Sequence, residues 1–317
     1  MFNGKNVYIS GGRTGFLGTN FAKELLSRGA KVYVQSLHKD KQSFWKANTE
    51  NVTEIICDFS KSAELPEGID YFFHCAAHTS GAHEMATNPV AQITENVFIN
   101  SHVLDAAAKA KVKKFVFISS SAVYPEYERP LKEEDAFLDD PPGNYFGPAW
   151  MKRYSEKLAE FYYKWYGMEI LIIRPSNAYG PYSSFDLIAS HVLPALIRKF
   201  VEKQNPIEVW GTPDVVRDFI YIDDFVRGVL LAFEKTSGFE VYNIAAGSLQ
   251  TIGEAVENIS ELTHYDGKYS FNSTKPMTIK QRKIDNTKAL NVLNFSSKIS
   301  FREGLEKTIN WYKSTLS

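Results

Sequence analysis

The chain has 317 residues, 44% apolar and 23% charged, with 36 basic against 37 acidic side chains and a formal net charge of -1. That balance excludes a disordered chain and a basic nucleic-acid-steering surface, and the length suits one large or two modest domains. No run reaches the roughly 18 uncharged apolar residues of a membrane helix, and Met1 to Lys5 passes into strand-like sequence without an apolar signal region, so a cytoplasmic protein with no membrane partner is expected.

Short apolar runs at 7–9, 32–34, 55–57, 71–74 and 115–118 alternate with helix-period stretches at 16–26 and near 90–110. Alternation of this kind predicts a Rossmann-like α/β fold, a doubly wound parallel sheet with helices on both faces. In the first helix Leu17, Phe21 and Leu25 stand four apart and Gly29 follows, giving an apolar face and a glycine stop. A long helix over 149–166 puts Tyr154, Leu158, Phe161, Tyr162 and Trp165 on one stripe, read as core packing, and 170–173 resumes the sheet.

After Pro175 the pattern mixes short strands (207–210, 219–222) with helices near 187–203, 223–234, 251–263 and 302–315. The expected division is a dinucleotide-binding domain over 1–175, with part of 217–244 returning to it, and a smaller α/β substrate-binding lobe over 176–317. The only cysteines, Cys57 and Cys75, lie in or beside apolar runs, so neither a disulfide framework nor a metal site is expected, and both read as core filler.

The first strand runs into Gly11-Gly12-Arg13-Thr14-Gly15-Phe16-Leu17-Gly18 and then a helix. Gly12 permits the sharp turn, Gly15 the approach of a diphosphate, and Gly18 close helix–strand packing, with phosphates at the helix N-terminus. At the end of the second strand, 34–41 carries no acid where a ribose-binding one is expected. Arg13, His38, Lys39 and Lys41 could instead meet a 2′-phosphate, which favours NADP(H) with NAD(H) the alternative. Asp58 either accepts from the adenine amino group or caps a helix.

The run 12–18, His74-Cys-Ala-Ala77, Asn96-Val97, Ser119-Ser-Ser-Ala-Val-Tyr124, Arg174-Pro-Ser-Asn-Ala-Tyr-Gly-Pro181 and Arg217-Asp-Phe-Ile-Tyr-Ile-Asp-Asp224 together resemble the extended short-chain dehydrogenase/reductases, the NAD(P)-dependent nucleotide-sugar epimerase/dehydratase family. Pro125 after Tyr124, and His191 fourteen residues beyond Asn177, bring the motifs closest to the GDP-L-fucose synthase branch. The resemblance implies hydride transfer at sugar C4, as 4-keto reduction or 4-epimerisation, and a homodimer formed through the two long helices of the first domain. It implies that Phe59, Ala76, Ala77 and Asn96 line the cofactor with the glycine-rich turn, and that Ser120 bonds the reacting sugar oxygen. Ser121, Asn177, Arg217 and Arg282 would hold the substrate, arginine suiting phosphate by its planar fork.

Two departures stand out. Lys152 fits the lysine of the family's Tyr–Lys pair, but Pro148 occupies the tyrosine position and has no proton to give. The nearest phenol, Tyr145, lies seven residues upstream, about 10.5 Å along an unbroken helix, so it must reach the site from the entering loop. Ala122 stands where fucose synthases carry a proton-moving cysteine, which weakens a 3,5-epimerisation, although His191 matches that branch's other proton carrier. The catalytic set is therefore Ser120, Tyr145, Lys152 and His191. The rival reading is a non-enzymatic dinucleotide-binding sensor or scaffold, and a fucose-synthase-like reaction with other proton carriers also stays open.

Overall fold

Apolar runs bounded by Gly, Ser and Asn become strands because a strand hidden on both faces needs no polar alternation. The computed structural model describes the chain except residues 38, 41–42, 46–49, 80–87, 89, 188–189, 276–278 and 317. In chain order its elements are β1 (Asn6–Ser10), α1 (Phe16–Ser27), β2 (Lys31–Ser36), β3 (Val52–Ile56), β4 (Tyr71–His74), α2 (Ala91–Lys109), β5 (Lys114–Ile118), α3 (Phe146–Tyr166), β6 (Glu169–Pro175) and β7 (Asn177–Tyr179). There follow α4 (Val192–Val201), β8 (Ile207–Trp210), β9 (Val216–Tyr221), α5 (Ile222–Lys235), β10 (Phe239–Ile244), β11 (Leu249–Thr251), α6 (Ile252–Thr263), β12 (Tyr269–Asn272), α7 (Thr287–Leu293) and α8 (Phe301–Ser314).

Seven strands form the main sheet in the order β10-β6-β5-β4-β1-β2-β3, every pairing parallel. The expected Rossmann-like sheet is thus observed. Strand order reverses between β1 and β4, and the crevice beyond their C-terminal ends is where such sheets bind ligands. Alternate side chains feed two cores. Val7, Ile9, Phe73 and Val116 face α1 and α5 through Phe21, Leu25, Phe225 and Phe233. Tyr8, Phe72, Phe115 and Phe117 face α2 and α3 through Val103, Leu104 and Ala159. Cys75 and Cys57 are half-buried at the margins of these two cores, and both are free thiols.

Beyond β6 the chain builds a three-stranded sheet, β11-β9-β7, and the pair β12-β8, before and after contributing β10 to the main sheet. Among the described residues no helix is long and apolar enough to cross a membrane.

The α3 stripe requires correction in part, since Leu158 and Tyr162 do pack against the second core but the other three residues do not. Tyr154, Phe161 and Trp165 are exposed, Trp165 by 74%, while the buried residues include Ala149, Met151, Arg153, Ser155, Glu156 and Ala159. Glu156 can be buried because Arg174 of β6 meets it bidentately, Nε–Oε1 at 3.0 Å and Nη2–Oε2 at 2.6 Å, satisfying both charges. The helix also starts earlier than expected, at Phe146, after a 3-10 turn over Gly143–Tyr145. Pro148 then sits in the first turn, where its missing N–H costs nothing.

Candidate active site

The turn from β1 into α1 is close-packed on glycine. A Cβ on Gly15 would stand 2.5 Å from the Gly11 carbonyl oxygen, and one on Gly18 would stand 2.6 Å from the same carbonyl, so neither position admits a larger residue without displacing the turn. No side chain caps α1, and no acid lies in its first turn. The amides of that terminus and the helix dipole therefore face the crevice ready for an anion, a donor set that fits a dinucleotide diphosphate.

The loop after β4 is fastened beside this turn. Ser10 Oγ accepts from the amides of Cys75 and Ala76, both at 2.9 Å, and Ala77 follows half-buried. Asn96 holds the next residue, accepting from His78 N at 2.8 Å and donating to His78 O at 2.8 Å and Gln92 O at 2.6 Å. Both of its amide hydrogens are thus spent on the backbone and Oδ1 accepts once, so Asn96 shapes the loop beside the glycine-rich turn. The ring of Phe59 is buried in the core against Tyr8, at 6.3 Å between centroids, which leaves its backbone as the part that could face a ligand. Asp58 Oδ1 accepts from Ser60 N at 3.0 Å and from Ser60 Oγ at 2.6 Å, and so caps its own turn.

At the β2 end, Gln35 bridges Gly11 N and the Cys57 carbonyl, and Thr14 Oγ1 lies 3.2 Å from Ser36 Oγ. Arg13 donates from Nε to Glu54 Oε2 at 2.7 Å, while Lys39 is exposed. His38 and Lys41 lie outside the described residues. The start of α1 leaves Phe16 and Leu17 packed against the first core. Trp45, which sequence reasoning passed over, donates its indole N–H to the Gly12 carbonyl at 3.0 Å. Two adjacent aromatics, Phe44 and Trp45, in an otherwise polar loop gave no periodic signal.

A second missed feature runs beneath the crevice. His74 is buried between Ser10 Oγ (2.8 Å from Nδ1) and Asn100 Oδ1 (2.9 Å from Nε2), and Asn100 donates to Ser155 Oγ of α3 at 2.9 Å. Burial pushes its pKa down to about 3, so the ring is neutral; as Asn100 Oδ1 only accepts, Nε2 carries the proton and Nδ1 accepts from Ser10. This chain ties the dinucleotide turn to the helix bearing Lys152.

Lys152 Nζ donates to the Ile118 carbonyl at 2.9 Å, two residues before Ser120. Burial lowers its pKa to about 8 against the opposing pull of Glu156. Ser120 Oγ accepts from Ala122 N at 3.0 Å, which fixes the hydroxyl at the start of a short 3-10 turn. The next carbonyl, Ser121 O, accepts from Arg282 Nη1, whose guanidinium carbon lies 5.3 Å from the Tyr145 ring centroid. Lys152, Ser120, Ser121, Arg282 and Tyr145 are thereby linked around one strand end.

Arg282 is buried and its Nη2 has no hydrogen-bond partner among the described residues. Burial, together with nearby Arg217, brings its pKa down to about 10. Arg217 is tied to the carbonyls of Val216 and Ile279, each at 2.7 Å. Two adjacent guanidiniums, one with an orphaned donor, fit a diphosphate. Asn177, exposed at the start of β7, donates to the Asp218 carbonyl at 2.9 Å. His191 stands apart: it precedes α4, is exposed, and its ring makes no hydrogen bond among the described residues. Among those residues there is no His/Cys/Asp/Glu cluster that could hold a metal.

The sequence profile of the NAD dependent epimerase/dehydratase family matches residues 7–245. A probable GDP-L-fucose synthase 1 of Oryza sativa subsp. japonica is 31% identical, with 98% of this chain and 92% of the relative covered. Among solved structures, the UDP-N-acetylglucosamine 4-epimerase of Methanobrevibacter ruminantium M1, in complex with UDP-N-acetylmuramic acid, superposes with a TM-score of 0.87 at 28% identity, covering 99% of this chain and 100% of that one. MoeE5 in complex with UDP-glucose and NAD superposes with a TM-score of 0.84 at 26% identity, covering 99% of this chain and 100% of that one.

Proposed function

The chain belongs to the NAD-dependent epimerase/dehydratase family, and from that premise we propose that it is an enzyme modifying a nucleotide-diphosphate sugar by hydride transfer at sugar C4, with 4-keto reduction or 4-epimerisation as the outcome. The observation that carries the substrate class is the buried Arg282 Nη2, which has no acceptor among the described residues, beside Arg217 and next to the strand end that presents Ser120. A buried cationic donor left unmade is costly, and a substrate diphosphate relieves it.

When bound, the nicotinamide dinucleotide supplies or takes the hydride. Ser120 positions the sugar oxygen, and Tyr145 gives or takes its proton in place of the phenol missing at Pro148. Lys152 holds the nicotinamide ribose and favours the phenolate by its charge. Asn177 and Ser121 complete the sugar side. His191 is the second proton carrier at the mouth. Ala122 has no acidic hydrogen, so a 3,5-epimerisation would need another carrier. Missing acids at Gln35 and Ser36, with Arg13 and Lys39 nearby, support NADP(H) as the preferred cofactor. In domain terms, 1–175 with the returning β10 binds the cofactor and most of 176–317 binds the nucleotide sugar.

The exposed aromatic faces of α2 and α3 (Phe98, Tyr154, Phe161, Trp165) support a homodimer formed through these helices. Free Cys57 and Cys75 suit work in the reducing cytoplasm.

The test is a panel of nucleotide sugars scored by NADPH absorbance and by mass spectrometry of the sugar product, since epimerisation returns the cofactor unchanged. Turnover of any member supports the reading. Tight binding of dinucleotide with no turnover and no nucleotide-sugar binding would make the chain a dinucleotide sensor.

A further inference from the structure

The second strand of this fold ordinarily ends in an acid that reads the adenosine ribose, and here that strand ends in Gln35-Ser36. An acid does stand nearby, but it comes from β3. Glu54 pairs in register with Val34, two residues before the β2 end, and its Oε2 accepts from Arg13 Nε at 2.7 Å. The other oxygen accepts from Ser43 Oγ. Burial alone would raise the Glu54 pKa, yet the hydrogen bonds from Ser43 and Arg13 outweigh it and hold the carboxyl below the usual range. Glu54 is therefore ionised at neutral pH, and Arg13 is correspondingly counterbalanced.

The pair is well constrained. Arg13 N donates to Gln35 O at 3.3 Å, Phe44 N donates to Arg13 O at 3.4 Å, and Trp45 closes on Gly12. The Arg13 side chain is only 10% exposed against 35% for Glu54. A ligand arriving at the β2 end thus meets a guanidinium whose charge is answered by a carboxylate beside it, both anchored to the glycine-rich turn.

We propose that Glu54 is the specificity-determining residue of the dinucleotide site: a displaced ribose-reading acid that counters Arg13 and restrains the site's preference for a 2′-phosphate, leaving NAD(H) usable. The inference deepens the NADP(H) reading given above and rests on it. A 2′-phosphate gains from Arg13 but is repelled by Glu54, whereas a 2′-hydroxyl suffers no repulsion and can donate to a carboxylate. Removing the carboxylate charge while keeping the side-chain shape should therefore strengthen NADPH binding selectively.

The experiment is calorimetric titration of the full-length protein with NADPH and NADH, comparing the parent with Glu54→Gln, Arg13→Gln and the double variant. Glu54→Gln is expected to tighten NADPH about fivefold to tenfold, with NADH changed by less than about threefold. The gain should shrink in about 0.5 M salt, where a half-exposed phosphate contact is screened. A smaller gain should persist when Glu54→Gln is added to Arg13→Gln, because the carboxylate repels the phosphate directly as well as countering Arg13. The unaltered NADH affinity certifies that Glu54→Gln is folded. An unchanged or reduced preference for NADPH in Glu54→Gln overturns the proposal, a reduced one making Glu54 a buttress for Arg13. A parent that prefers NADH refutes the NADP(H) reading alone, provided Glu54→Gln still shifts the ratio toward NADPH. Failure of the parent to bind either dinucleotide refutes both.

Discussion

Arg282 lies over the ring of Tyr145, its guanidinium carbon 5.3 Å from the ring centroid, while the same guanidinium donates to the carbonyl of Ser121. A phenol ring seven residues before Lys152 is thereby set against the guanidinium that ties down the carbonyl of Ser121, the residue after Ser120. The 3-10 turn over Gly143–Tyr145 makes this possible by letting the chain enter α3 from the side.

If that phenol moves the proton, Tyr145→Phe lowers kcat by roughly 10²–10⁴ fold, the usual size of a general acid/base contribution. The ring is retained, so the contact with Arg282 and the affinity for cofactor should stay near parental values. Steady-state kinetics beside a cofactor titration check this. Full activity in the variant would pass the role to His191 or to water held by Ser120.

Replacing Arg282 acts on the other ligand. Arg282→Ala should weaken nucleotide-sugar binding by about 1.5–3 kcal/mol, as expected for a charge-assisted hydrogen bond, and leave cofactor affinity unchanged. Because Arg282 also ties down Ser121 O, Arg282→Lys should recover only part of the loss, a single ammonium being unable to span both acceptors. Calorimetry with UDP and GDP sugars is the measurement. Parallel loss of both ligands would indicate a folding defect.

Lys152 should trade stability for function. Its pKa is depressed from 10.5 to about 8, so between those values the unfolded chain holds the proton that the folded chain has released, and folded stability rises with pH across that window. Below about pH 8 the folded chain carries a penalty for the partly buried ammonium. Lys152→Met should therefore be more stable than the parent near pH 7, by about 1–2 kcal/mol, and that advantage should fade toward pH 10. Urea unfolding at several pH values tests the sign. A variant less stable than the parent at neutral pH would show that the bond to Ile118 O outweighs desolvation.

The fourth prediction concerns association. Phe161 and Trp165 stack on α3 with ring centroids 6.2 Å apart, both exposed. Charging this face with Phe161→Glu and Trp165→Glu should convert a dimer into a monomer in light scattering while the circular dichroism of the folded chain is kept, since these side chains lie outside the monomer's core. A parent that is already monomeric would refute the homodimer.

The misreading of α3 explains what sequence patterning can and cannot reveal. Helical period was legible, but the choice of buried face was not. The inward face is built from Ala149, Ser155, Ala159 and a Glu156 paired with Arg174 of β6, while the largest apolar residues point outward. Burial of small and paired polar groups looks like a solvent face to any reading that weighs hydrophobicity alone. Much the same holds for Asn96, whose motif is recognisable but whose amide turns to the His78 backbone, and for Glu54, whose meaning depends on a register across β2 and β3. The strand alternation and the glycine-rich turn were legible because they are written in local backbone needs.

The last strand of the main sheet imposes an order on synthesis. β10 pairs with β6 through all six of its residues, Phe239 with Ile170 to Ile244 with Pro175, yet emerges after most of the small sheet that lies between them in sequence. A nascent chain released as far as β6 carries every other strand of that sheet but leaves the Ile170–Ile173 edge without a neighbour. Such an apolar edge invites pairing with another chain. Translation must therefore run about seventy residues further before the sheet can seal itself, and over that interval the half-made protein depends on chaperones or on speed to remain single.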